Sequence, residues 1–109
     1  MNNESKMTEI ELICVVVNFG IASKVLKKAK QHGVKGGTVT LGKGTVNSRI
    51  LNFIGLSDIR KEICLMLADT QTAYRSMEEL NKEFDFNKPN HGIAFTTSVY
   101  KAFGAKSLT

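Results

Sequence analysis

The segment Gly36-Gly37-Thr38-Val39-Thr40, followed at once by Gly42-Lys43-Gly44-Thr45, gathers glycines and a lysine into one short stretch. Glycines let backbone N–H groups approach an anion, and Lys43 adds positive charge, so the chemistry on offer is anion cradling. The spacing is not that of a Walker A loop, which needs its glycines further apart and a lysine directly before Ser or Thr. Turn chemistry with a solvated lysine accounts for the same residues. A second cradle of this kind is Lys88-Pro89-Asn90-His91-Gly92. His91 belongs to the one residue type that titrates near neutrality, although a lone histidine in a turn is more often a hydrogen-bonded structural group than a ligand. His32 falls at the end of a predicted helix, where its charge complements the negative end of the dipole.

Catalytic constellations are poor. There is no acid–base pair in a recognisable motif, no Ser or Cys nucleophile beside a base, and no run of metal-ligand spacing, so the chain is not expected to be an enzyme or to hold a metal. Asp58 and Glu62 share a helical spacing but sit where a strand begins, which favours a solvated pair. Cys14 and Cys64 each lie inside an apolar run, far apart in sequence, and read as buried structural thiols of a reducing compartment.

The elements that must carry these residues follow from hydrophobic periodicity. Leu12 to Val17 is β-branched and apolar on both alternating faces, which predicts a strand buried on two sides. Ile21, Ala22, Val25, Leu26 and Ala29 recur at helical spacing, with Lys24, Lys27 and Lys28 opposite and Gly33 placed to end the helix. A second strand is predicted over Thr38 to Leu41 and a third, again two-faced, over Glu62 to Ala68. Between them, Gly42 to Arg60 reads as a long connection, in which Val46, Ile50, Phe53 and Ile54 fit one helical face. Asp69 or Thr70 can cap a second helix whose stripe is Ala73, Met77, Leu80 and Phe84. A tight turn over residues 87–92 precedes a fourth strand, Ile93 to Val99. The order is βαββαβ, an α+β, ferredoxin-like split unit with a four-stranded antiparallel sheet and two helices on one face. The other face would stay bare and apolar, which predicts self-association through the sheet, as a closed ring.

A chain of 109 residues accommodates one core, so residues 1–8 are expected to be a flexible arm and residues 9–109 a single domain. Fifteen Lys plus Arg against ten Asp plus Glu give a net charge of +5. The excess is uneven: no acid occurs from Leu12 to Ser57, nor from Phe86 to Thr109. Such a field favours anionic partners. Nucleic acid is a minor reading, because an RNA-binding sheet of this order needs exposed aromatics on its central strands, and here only Phe95 offers one. No apolar run reaches the length of a signal core or membrane span, which predicts a cytoplasmic protein.

The order of these motifs resembles the nitrogen-regulatory P-II signalling proteins. The residues that carry the resemblance are Gly36 to Thr40, then Gly42-Lys43-Gly44, the loop, the strand Glu62 to Ala68, and His91-Gly92-Ile93-Ala94-Phe95 before Val99-Tyr100-Lys101. The Gly-Gly-Thr and His-Gly-Ile-Ala-Phe segments resemble the divergent P-II-like branch. The resemblance implies a homotrimer, with a nucleotide site in the cleft between subunits. It also implies a loop, residues 42–60, that docks on a membrane transporter or enzyme, with Ile50 to Leu56 as its contact surface. By position, Thr38 would border the adenine, Gly42 and Gly44 the phosphates, and Gly92 the opposite wall, with Gly37 and His91 counted among the binding residues. Lys43, Lys88, Lys101 and Lys106 are the candidate anion contacts.

The sequence departs from the family pattern at charged positions. Where better-known members have a glycine-acid-glycine-lysine turn, this chain has Asn90-His91-Gly92-Ile93. Thr45 stands where an arginine follows the Gly-x-Gly at the loop base. Gly104 stands for one of two C-terminal arginines, and Lys106 for the other. Two or three lost charge-assisted contacts, at about 1.5–3 kcal/mol each, would weaken ATP by several orders of magnitude. The loop also lacks the glutamine that helps bind 2-oxoglutarate with magnesium, and a tyrosine to accept a uridylyl group. The expectation is therefore a regulatory protein needing no cofactor, with a small anionic effector such as ADP, AMP or ATP. The alternative is an interaction module of the same fold whose ligand site has decayed.

Overall fold

A computed structural model describes residues 9–43 and 60–105. Strand β1 (Ile10–Asn18) leads into helix α1 (Ala22–Gln31) and strand β2 (Gly37–Lys43). Strand β3 (Arg60–Asp69), helix α2 (Thr70–Phe84) and strand β4 (Ile93–Ser98) follow. The four strands form one antiparallel sheet in the order β2-β3-β1-β4, so β2 and β4 are its edges. The predicted βαββαβ order is the observed one.

Alternation explains the layering. On β1, Ile13, Val15 and Val17 point to the helices, and Cys64, Met66 and Ala68 do so from β3. They form the core with Ala22, Val25 and Ala29 of α1 and Ala73 and Leu80 of α2, while Met77 and Phe84 pack at its margin. The opposite face of the sheet carries Leu12, Cys14, Val16, Ile63, Leu65, Leu67, Ile93 and Phe95. No described helix covers it, and Phe95 and Ile93 remain 45% and 56% exposed. Cys64 is buried as expected, whereas Cys14 is only half-buried because it faces this open side.

The helix ends show how local sequence sets the architecture. Asp69 caps α2: its carboxylate accepts the Thr72 N–H at 2.9 Å and the Thr72 hydroxyl at 2.8 Å. Helix α1 closes on Gly33 at φ +107, with Val34 N–H donating to Ala29 O and Gly33 N–H to Lys30 O. That is the Schellman arrangement, and only glycine enters it without strain. Helix α1 begins at Ala22, after an Ile21 that offers no side-chain cap; the acceptor comes from elsewhere. Glu62 of β3 takes the Ala22 N–H on its Oε1 at 2.9 Å. The expected solvated pair of Asp58 and Glu62 is corrected here, since Glu62 is a helix cap; Asp58 lies outside the described residues.

Two boundaries also differ from expectation. Gly42, Lys43 and Arg60, expected in the long connection, belong to strands: Gly42 pairs with Lys61 and Lys43 with Arg60. Cross-strand hydrogen bonding extends the β2–β3 ladder beyond its apolar stretch, which is all that periodicity detects. The remainder of the connection and the N-terminal arm lie outside the described residues. Among the described residues, no helix is long and apolar enough to cross a membrane.

Candidate functional site

The first strand of the glycine-rich motif is held very close to its neighbours. A side chain on Gly37 would stand 2.7 Å from Met66 Cγ and 2.9 Å from Leu65 O, so glycine lets β2 begin flush against β3. Thr38, the next residue, pairs with Leu65 and turns to the open face. After β4 the chain is tied to β1 by the Val99 N–H on Ile10 O, 3.0 Å, and then returns across the end of the sheet. This return places Gly104 and Ala105 beside Lys35, Gly36, Gly37 and Thr38 over a floor of Leu65 and Leu67, around a shallow cleft of about 380 Å³. Glycine backbone, a threonine and a lysine border an apolar floor. That set suits a small anionic molecule with an apolar part.

The other predicted residues lie elsewhere. Gly42 and Lys43 are at the far end of β2, about 13 and 16 Å from Thr38 at strand rise. There Lys43 is joined by Arg60 and Lys61, so the root of the long connection is basic on both strands. The Arg60 guanidinium lies 4.4 Å over the ring of Phe19. Lys61 donates to Asn18 Oδ1 at 2.6 Å, and Asn18 Nδ2 donates to the Asn90 carbonyl at 3.1 Å. One asparagine at the end of β1 thus ties the root of the connection to the second glycine turn. Lys101 stands 5.5 Å over the Phe103 ring in the C-terminal segment. Gly44 and Lys106 lie outside the described residues.

The second turn is fixed by its own contacts. Lys88 pairs with Asp85 at 3.4 Å. His91 Nδ1 stands 2.8 Å from the Phe84 carbonyl, one of those that the end of α2 leaves without an intrahelical partner. Its ring therefore serves the fold through Nδ1. Gly92, at φ +107, lies directly against the Val16 carbonyl of β1.

These positions separate the candidate site into two walls. The turn from Lys88 to Gly92 precedes β4, on one edge of the sheet; Gly37 to Lys43 form the other edge. Two strands, β3 and β1, lie between, a separation of about 14 Å at ordinary strand spacing. Within a single chain the two walls thus stand apart, on opposite edges of the sheet. Among the described residues, no group of three or more His, Cys, Asp or Glu could hold a metal. Burial raises the Cys64 thiol to about 11, helped by the neighbouring Cys14 and Glu62, and burial also raises Cys14, so neither is an activated nucleophile.

Sequence reading missed Glu62, Asn18, Arg60 and Lys61 as organising residues. Nothing local to Asn18 signals that it meets a residue 72 positions away.

Comparison with solved structures decides the fold. A PII-like signalling protein of Thermus thermophilus superposes with a TM-score of 0.70 over 92% of this chain and 95% of its own, at 17% identity. The fold is that of the PII-like signalling proteins. Arabidopsis thaliana PII bound to citrate superposes at TM-score 0.68 and 11% identity, covering 94% of this chain and 85% of that one. The B. subtilis GlnK–ATP complex does so at 0.63 and 10% identity, covering 92% and 90%. No family model and no curated protein matches the sequence. The PII-like fold spans both walls and the strands that root the long connection.

Proposed function

We propose that this chain is a PII-like regulatory protein of the nitrogen-regulation type, acting by ligand-controlled association and not by catalysis. A small anionic effector binds between copies of the chain, and the connection over residues 42–60 carries the response to a protein target, a membrane transporter or an enzyme. The observation that carries this reading is the placement of the two candidate walls on opposite edges of a sheet whose open face is apolar. Packing copies through that face into a trimer brings the β2 edge of one chain to the β4 edge of the next. In that packing Gly37, Thr38, Gly42 and Lys43 would face Lys88, His91 and Gly92 of the neighbouring chain across one cleft, with Lys101 in the C-terminal segment that borders it.

Solved structures of the same fold hold citrate in one case and ATP in another. An adenine nucleotide or a small polycarboxylate is therefore the effector class to test first. With Ile93 in place of a lysine, the phosphate end of such a ligand relies on Lys43, Lys88 and Lys101, with Lys106 and Gly44 beyond the described residues. Affinity is then weaker for ATP than a fully cationic cleft would give, which favours ligands of lower charge. Binding acts on the target only as far as the effector prefers one arrangement of the connection over another. The protein works in the cytoplasm, meeting the membrane through its target.

The test combines light scattering with calorimetry on the purified chain. The expected results are a trimer and saturable binding of one of ATP, ADP, AMP or citrate, with weakening by Lys43→Gln and Lys101→Gln in an intact trimer. A monomer that binds none of these overturns the reading. A trimer with no response to any of them, and with Gly42→Ala leaving target capture unchanged, supports the decayed interaction module instead.

A further inference from the structure

Helix α1 buries Ala22, Val25 and Ala29 and exposes Ser23, Lys24, Lys27, Lys30 and Gln31. Lys24, Lys27 and Lys30 follow one another at three-residue steps and form a row about 9 Å long. Lys28 leans away to Glu83, at 3.6 Å. The carboxylates of α2 that face this side are engaged within the chain, Glu79 by Lys82 and His32 and Glu83 by Lys28. Among the described residues, no carboxylate lies within ion-pair distance of Lys24, Lys27 or Lys30. Lys27 stands on a ridge between two open grooves, one of about 300 Å³ shared with Lys24 and Lys28, the other of about 480 Å³ shared with Leu26 and Lys30. Like charges repel along this row, and nothing described in the chain relieves them.

The composition of this face selects among anionic partners. Protein–protein hot spots are built on Trp, Tyr and Arg, and interfaces are depleted in lysine. This face has none of those anchors. Lysine is a compact, hydrated, mobile point charge, suited to a diffuse negative surface more than to fixed bidentate contacts. A nucleic-acid backbone is also negative, but the row reaches few phosphates, and no arginine or aromatic on the helix reads bases. A planar array of anionic headgroups lets all three lysines act together and adds the pull of the net charge of +5.

We infer that the lysine face of α1 is a docking surface for an anionic lipid membrane. It lies on the helical layer, opposite the open sheet face, and does not depend on the effector cleft. The test is flotation of the purified full chain with phosphatidylcholine vesicles, with and without phosphatidylglycerol. The chain is expected to float with the anionic vesicles only, and less as salt rises. Each lysine near such a surface contributes roughly fivefold, so the triple variant K24Q/K27Q/K30Q should lose on the order of a hundredfold in partitioning. A control variant, R60Q/K61Q/R75Q, removes equal charge away from this row and should retain binding; circular dichroism checks that both fold. Failure of the wild-type chain to float, equal losses in the two variants, or displacement from vesicles by a short DNA duplex would each overturn the inference.

Discussion

Replacing Gly92 with alanine tests the join between the second glycine turn and the sheet. Gly92 sits at φ +107 immediately before β4, and Ile93 is already paired with Val16 of β1. A methyl group there would run into the Val16 carbonyl oxygen and stand 3.1 Å from Val17 Cγ1 and 3.3 Å from Val17 Cα. The obstacle is backbone inside a ladder, so it cannot rotate away as the tip of a side chain would. Two costs then add: about 1–3 kcal/mol for holding a non-glycine residue at this φ, and about 1–3 kcal/mol for forcing atoms into a filled space. Gly20 and Gly104 separate the two. Their φ values are +93 and +83, but nothing lies within 4 Å of an added carbon, so they carry the first cost alone. Urea unfolding followed by circular dichroism, at one protein concentration, should show Gly92→Ala losing about 2–6 kcal/mol, against about 1–3 kcal/mol for Gly20→Ala and Gly104→Ala. A small domain holds only about 5–15 kcal/mol in all, so the difference is large. If Gly92→Ala is no worse than Gly20→Ala, the turn does not pack against β1 as described.

Other substitutions probe the caps and the faces of the sheet. Asp69→Ala removes the α2 cap and should cost about 1–2 kcal/mol in the same unfolding assay. The Thr72 hydrogen bonds hold the Asp69 carboxyl below its ordinary value of 3.8, so its contribution is complete above that value and disappears as acid protonates the folded state below it. Wild type and Asp69→Ala should therefore converge in stability at low pH, and a gap that widens there would contradict the cap. Glu62→Ala leaves the Ala22 N–H without its charged acceptor and should cost about 1.5–3 kcal/mol; hydrogen exchange ought to locate the loss in the first turn of α1. Thiol labelling at dilutions that dissociate the proposed trimer should modify Cys14 before Cys64, whose thiol is buried and raised to about 11, whereas the assembled trimer should shield Cys14 as well; labelling of Cys64 first in the dissociated chain would invert the faces of β1 and β3.

The elements, and the kind of sheet they make, were legible in the sequence. Alternation in Leu12 to Val17 and Glu62 to Ala68 marks two-faced strands, and Gly33 and Asp69 mark helix ends, because each signal is read within a few residues of chain. The bare apolar face and the basic α1 surface were legible for the same reason. The family resemblance already implied two walls of one cleft; the long-range contacts that hold each wall in place emerged only with the folded chain. Glu62 caps a helix that begins 40 residues earlier, and Asn18 bridges Lys61 and the Asn90 carbonyl across 43 and 72 residues. The C-terminal segment comes to rest beside Gly37 and Thr38. Periodicity states which face of an element is apolar, but it carries no information on strand order or register. Those are set by long-range hydrogen bonding and packing, and they place the two glycine motifs on opposite edges of one sheet.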